Sequence, residues 1–141
     1  MPDPTTFDPQ KMAIIIGGNI LSGFAKDSIV EMSFNEDSVT VEVGADGEFA
    51  RVISRNESAE FKISLMHTSP SNDLLSAMHA ADKATGRGFA PLMVKDGSGR
   101  AVAGSESVWV KKPATFKRGT AIETNEWVLS CGKAYCHIGG N

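Results

Sequence analysis

Long apolar runs are missing from this chain. Nothing approaches the roughly 18 consecutive apolar residues that a membrane-crossing helix requires, and the longest stretch, Met12-Ala13-Ile14-Ile15-Ile16, has the length of a strand. The first residues, Met1-Pro2-Asp3-Pro4, carry neither the basic nor the apolar part of a signal peptide, so the expected compartment is cytosol-like. Cysteine is scarce as well. Cys131 and Cys136 are the only two, too few for a disulfide scaffold. Positive charge is in deficit, with 14 basic against 17 acidic residues and a net charge of −3, which argues against a nucleic-acid reader built on a basic stripe. Repeats and low-complexity tracts are absent.

What is present is an ordinary globular composition, 41% hydrophobic and 22% charged over 141 residues. That suits one domain, residues 1–141, and excludes wholesale disorder. Residues 1–10 read as an extended polar arm, because Pro2, Pro4 and Pro9 punctuate a segment with no face to bury. Beyond it the chain reads mostly as strand. Lys11–Ile16 and Asp27–Asn35 are rich in apolar and β-branched residues. Ser38–Val43 alternates strictly, with Val39, Val41 and Val43 on one face and Ser38, Thr40 and Glu42 on the other, as in a strand wet on one side. Gly44-Ala45-Asp46-Gly47 suits a reversal, and Glu48–Arg55 returns from it. Ser58–His67 alternates again. Asp96-Gly97-Ser98-Gly99 reads as a second hairpin tip, between Pro91–Lys95 and Arg100–Lys111, and Ala121–Ser130 and Lys133–Ile138 complete the strands. One segment is helical. Ser69 is a capping residue, Pro70 stands at the first helical position, and Leu74, Leu75, Met78 and Ala81 share a face until Gly86 stops the helix. The fold class is α+β, mostly β: a sandwich or barrel with one flanking helix and a long hairpin.

Catalytic templates find no purchase. There is no phosphate-binding Gly-Lys loop, no dinucleotide Gly-x-Gly-x-x-Gly after a strand and no Gly-x-Ser-x-Gly elbow. Cys131, Cys136 and His137 are soft ligands in a Cys-x4-Cys spacing without a second pair, and thiols packed as small hydrophobes explain them. Ser69 and His67 make a nucleophile and base only on paper, since the cap uses the same hydroxyl. Trp109 and Trp127 lie within strands and read as packing residues. No cofactor and no metal are expected.

Read end to end, the chain resembles the tail-tube proteins of contractile-tailed bacteriophages. The resemblance runs from Phe7-Asp8-Pro9-Gln10-Lys11 to Gly139-Gly140-Asn141. It rests on Ile20-Leu21-Ser22-Gly23-Phe24-Ala25, on Val43-Gly44-Ala45-Asp46-Gly47-Glu48 with Arg51, on Thr68-Ser69-Pro70-Ser71-Asn72-Asp73 with Leu75-Ser76, on Ala81-Asp82 and on Glu126-Trp127. The resemblance implies a non-enzymatic virion protein: six subunits in a ring, rings stacked into a tube, a contractile sheath outside, and double-stranded DNA passing through the lumen without specific binding. Implied partners are copies of itself, the sheath protein, and baseplate or initiator and terminator proteins. The implied location is the virion tail, assembled in the host cytoplasm without membrane insertion. Tubes of phage-derived protein-injection devices look alike, and a monomeric β-barrel ligand-binding module is the rival from another class. Cys131 and Cys136 have no family role.

Within this picture the hairpin tip Val43, Gly44, Ala45, Asp46, Gly47 and Glu48 is the candidate contact to a neighbouring subunit, with an ordinary surface hairpin as the alternative. Thr40, Glu42, Glu60 and Ser64, on the polar faces of alternating strands, are candidates for the lumen, with an ordinary solvated face as the alternative; Lys62, beside Glu60, weakens a purely negative surface.

Overall fold

The alternation of apolar and polar residues is realised as one large curved sheet and one small projecting one. The computed structural model describes residues 3–26, 29–97, 99 and 101–139. Its elements are β1 (Ala13–Ile16), β2 (Asn19–Ile20), β3 (Val30–Phe34), β4 (Val39–Val43), β5 (Phe49–Ile53), β6 (Ala59–Met66), α1 (Ser71–Thr85), β7 (Ala90–Lys95), β8 (Val102–Lys112), β9 (Thr124–Cys131) and β10 (Tyr135–His137). A short 3-10 turn, Pro9–Lys11, closes the N-terminal segment, with Asp8 Oδ1 accepting from Gln10 N.

The large sheet runs in the order β2-β1-β7-β8-β9-β6-β3, and every pairing is antiparallel. β8 is the longest strand and changes partner along its length. Its first residues, Val102–Gly104, pair with β10, and from Val108 onward it pairs with β9. This change, with a register shift against β7 between Ala90 and Leu92, lets the two halves of the sheet turn one face toward each other. That inner face buries Ile14, Ile16, Ala59, Phe61, Ile63, Leu65, Leu92, Val108, Val110, Trp127 and Leu129 in one cluster. At roughly 1.5–3 kcal/mol for each large side chain, this burial is the main term holding the fold. The period-2 pattern read from Ser58–His67 is therefore real: Ala59, Phe61, Ile63 and Leu65 point inward.

The helix adds Leu75, fully buried, with Leu74 and Met78 packed against the cluster. Its start lies one residue later than the sequence implies: the helix begins at Ser71 with Pro70 (φ −66°, ψ −17°) in the cap position, and Ser69 Oγ, one residue further out, accepts from Ser71 N at 3.2 Å. Gly86 ends it in the left-handed region (φ 73°), its N–H bonding back to Asp82 O, which a glycine adopts without the strain of a Cβ. Strand limits differ from the sequence reading by one to three residues at most ends: the ladders drop mainly polar end residues such as Lys11, Ser38, Glu48 and Lys133 and gain Ala90, Lys112 and Cys131. Asp27 and Ser28, read as part of a strand, and Ser98 and Arg100, near the second hairpin tip, lie outside the described residues, as do positions 1, 2, 140 and 141. The two-residue β2 carries no periodic signal and was not readable from the sequence.

Candidate functional site

The first candidate is the hairpin itself. β3 and β6 pair within the large sheet from Val30↔Ile63 to Phe34↔Ala59. The ladder then continues outward through Asn35 N to Ser58 O (3.0 Å) and Ser54 N to Ser38 O (2.9 Å) into the β4–β5 pair, Val39↔Ile53 to Val43↔Phe49. β4 and β5 pair only with each other. They form an arm of five residues a side, about 17 Å at some 3.4 Å per residue. The tip is set by Gly44 N donating to Glu48 O (2.6 Å) and Gly47 N to Gly44 O (3.0 Å), with Asp46 Oδ1 accepting from Glu48 N (3.1 Å). Gly47 sits at φ 91°, so the Asp-Gly pair has its expected use.

One expectation for this arm is corrected. The alternating Val39, Val41 and Val43 predict a strand wet on one side only, yet every residue of β4 and β5 is exposed. The register puts Val39, Val41, Val43, Phe49, Arg51 and Ile53 on one face and Thr40, Glu42, Ala50 and Val52 on the other. The first face is nearly all apolar, with Val41 at 61% and Phe49 at 74% exposure. The amphipathic pattern is therefore present without any core in this chain to receive it. Isolated two-stranded hairpins are marginal in water; this one is held at its root by the β3–β6 ladder.

The lumen candidates do not stand together. Thr40 and Glu42 are on the arm, whereas Glu60 and Ser64 are on β6. Glu60 lies on the outer face of the large sheet and is ion-paired with Lys111 of β8. Glu31 and Lys62 are directly opposed on the same face, and on the next ladder Glu126 stands opposite Ser64, two pairs along from Lys62. Ser64 is buried, its backbone bonded by Ala25 N to Ser64 O and by Ser64 N to Ile29 O, both 3.0 Å. A covered serine cannot line a channel, and this removes it from the set.

A third feature was invisible as a unit in the sequence. Asn72, in the first turn of α1, donates through Nδ2 to Met66 O (3.0 Å) and Ser69 O (3.0 Å), while its Oδ1 accepts from Trp127 Nε1 (2.9 Å) and Asn125 Nδ2 (3.1 Å). Beside it, Ser22 N donates to Ser71 Oγ (2.9 Å) and Ser69 Oγ to Ser22 O (2.5 Å). A Cβ on Gly23 would fall 2.6 Å from that of Ser69, so only glycine lets the segments approach. Three of the quoted motifs, around Ser22-Gly23, Ser69–Asn72 and Glu126-Trp127, thus meet in one polar knot that fastens helix to sheet. The Ser69–His67 pairing dissolves here: Ser69 is committed to Ser22 and the helix, and His67 Nδ1 accepts from Glu123 N at 2.8 Å. Cys131 is buried with Sγ toward Ala59 O, Cys136 is exposed, and both are free thiols. No group of three or more candidate metal ligands occurs among the described residues.

Comparison with known proteins follows the same line. The family model described as "Bacteriophage PhiTE tail tube protein" matches residues 16–139. "Structural protein ORF10" of Pseudomonas phage KPP10 is 31% identical over 145 residues, covering 97% of this chain and 84% of that protein. Among solved structures, the tube-terminating cap of the anti-feeding prophage matches with a TM-score of 0.66 at 9% identity, over 97% of this chain and 94% of the other. The sheath/tube terminator of the extracellular contractile injection system PVC gives a TM-score of 0.65 at 9% identity, over 96% and 99%. The sheath-tube complex of that system gives 0.63 at 8%, over 94% and 91%. At such identities the three structures speak for the fold alone.

Proposed function

Because this chain belongs to the phage PhiTE tail tube family, a family of structural tail proteins and not of enzymes, we propose that it is the repeating unit of a virion tail tube in which six copies close a ring and rings stack into a conduit for double-stranded DNA inside a contractile sheath. The observation that carries this reading is the arm: an apolar face of Val39, Val41, Val43, Phe49 and Ile53 that the chain itself leaves uncovered. Exposed apolar surface of this kind marks a protein contact, and contacts between unlike patches of identical subunits build rings or open filaments. The residues 43–48 tip takes part in that contact. Sheath, baseplate and terminator proteins are the further partners, with assembly in the host cytoplasm and residence in the virion tail.

The channel surface is assigned to the outer face around Glu60, with Glu31, Lys62 and Glu126, and to Thr40 and Glu42 on the polar side of the arm. On the sheet itself Glu31, Glu60 and Glu126 are balanced by Lys62, Lys111 and Lys112; Glu42 on the arm tips the surface to acid, and the net charge of −3 per chain is repeated in every subunit. Phosphates are repelled by such a wall, and passage is not slowed by the counterion-releasing contacts that bind DNA. A tube of an injection device carrying protein is the second reading, favoured only by the fold shared with such machines; the curated relative is a phage protein.

Purified wild-type chain, examined by size-exclusion chromatography and negative-stain microscopy, should give rings or rods. A single 15.0 kDa species at high concentration would instead support a monomeric ligand-binding module. Within a tail, Glu42→Lys with Glu60→Lys should slow DNA delivery while tube length stays normal; unchanged delivery kinetics would remove the channel assignment.

A further inference from the structure

The place where β8 changes partner leaves an opening in the large sheet. β9 departs at Val108↔Cys131 and β10 joins only at Gly104↔Tyr135. Between them the β9–β10 turn is tied to β8 through a side chain, Ser105 Oγ donating to Lys133 O (2.5 Å), and Ala134 N reaches Glu57 O (2.9 Å). The result is a surface cleft of about 510 Å³ whose lining includes Glu57, Glu106, Trp109, Lys133 and Tyr135. Tyr135 lies against Gly104, where a Cβ would come within 2.7 Å of the tyrosine hydroxyl. The register extends this apolar floor across the outer face as a row, Tyr135–Gly104–Met93–Ile15–Ile20, in which Tyr135, Met93 and Ile20 are exposed. Glu57 and Glu106 are exposed and neither is in an ion pair among the described residues; with Lys133 on the same rim, the cleft keeps an excess of negative charge.

The arm is the complement of this surface in both respects. Its apolar face carries a single charge, Arg51, opposite Val41 at the middle of the hairpin. Arg51 too is exposed and outside any ion pair among the described residues. The arm cannot fill the cleft of its own chain: Glu57 stands at the root of the hairpin, and the paired strands run outward from that root.

We propose that the apolar face of the arm of one copy docks over the β8 cleft of another, with Arg51 received by Glu57 and Glu106 and the surrounding Val39, Val41, Val43, Phe49 and Ile53 laid on Trp109, Tyr135 and the apolar row. This rests on the tube-subunit reading and names the partner surface within it. A guanidinium flanked by aliphatic side chains and facing two carboxylates fixes register as well as affinity, because a displaced arm would bury the charge unpaired. Giving and receiving surfaces differ, so each copy can do both and the contact propagates.

The test is a charge swap on the full chain. Wild type, Arg51→Glu, the pair Glu57→Arg with Glu106→Arg, and the three combined are compared by sedimentation and negative stain, with thermal melting as the check on folding. All three positions are exposed, so the melts should coincide. Each one-sided reversal should cut the rods formed by about tenfold or more, as expected for unpairing an interfacial charge, and the combined swap should bring them back. Rods undiminished in the one-sided variants, or unrestored in a combined variant that melts like wild type, would overturn the docking and leave the tube reading standing. A wild-type chain that makes no rods would overturn the tube reading and this contact with it.

Discussion

Asn72 shows how much one side chain can organise. It satisfies carbonyls of the β6–α1 turn and at the same time accepts from Trp127 and Asn125. Replacing it with alanine strands these groups in a half-buried site, and Asn72→Ala should cost about 1–3 kcal/mol, read as a lowered midpoint in urea. A paired glycine test is sharper. A Cβ at Gly88 would sit 2.2 Å from Met78 O, whereas at Gly132 it would meet nothing within 4 Å. Gly88→Ala should therefore destabilise by about 2 kcal/mol or more while Gly132→Ala stays within about 0.5 kcal/mol, both measured by the same melt. Ser69 and Pro70 were legible at this scale, because capping chemistry is local and depends on residues next to each other in sequence. The knot was not: Ser22, Asn72 and Trp127 are far apart in the chain, and nothing in periodicity brings them together. Their only trace in the sequence was membership of the motifs that carried the family resemblance.

Elements divide into those with a core to face and those without. For β6, alternation alone identified the buried side, since Phe61, Ile63 and Leu65 have the inner faces of β9 and β3 to pack on. For β4 the same kind of alternation misled, because a pattern tells which side is apolar and not whether anything in the same chain covers it. That difference separates two predictions. Leu75→Ala, in the buried face of α1, should lose about 2–5 kcal/mol of folding stability. Val41→Ser with Phe49→Ser should leave the melting of the dispersed chain within about 0.5 kcal/mol of wild type, since both side chains are already in water. The same double substitution should abolish rods in negative stain. A lowered melt with normal rods would mean that the arm packs on its own domain.

For the whole molecule, fold class came from patterning and the rest of the architecture from pairing. The sequence separates many strands and one helix, but the partner change along β8 requires knowing which strands meet, and that is decided by contacts between residues distant in the chain. The same change supplies the cleft, so the least legible feature of the fold is also the one on which the proposed contact between copies depends.

A unit that extends an arm from one place and offers a hollow at another imposes direction on whatever it builds. If the proposed docking joins successive rings, a stack finishes with unfilled hollows at one extremity and bare valine-rich arms at the other, and the two extremities call for different stoppers. The sticky one is the greater hazard in a crowded cell, and a stopper of the same shape as the subunit but lacking a projecting arm would seal it.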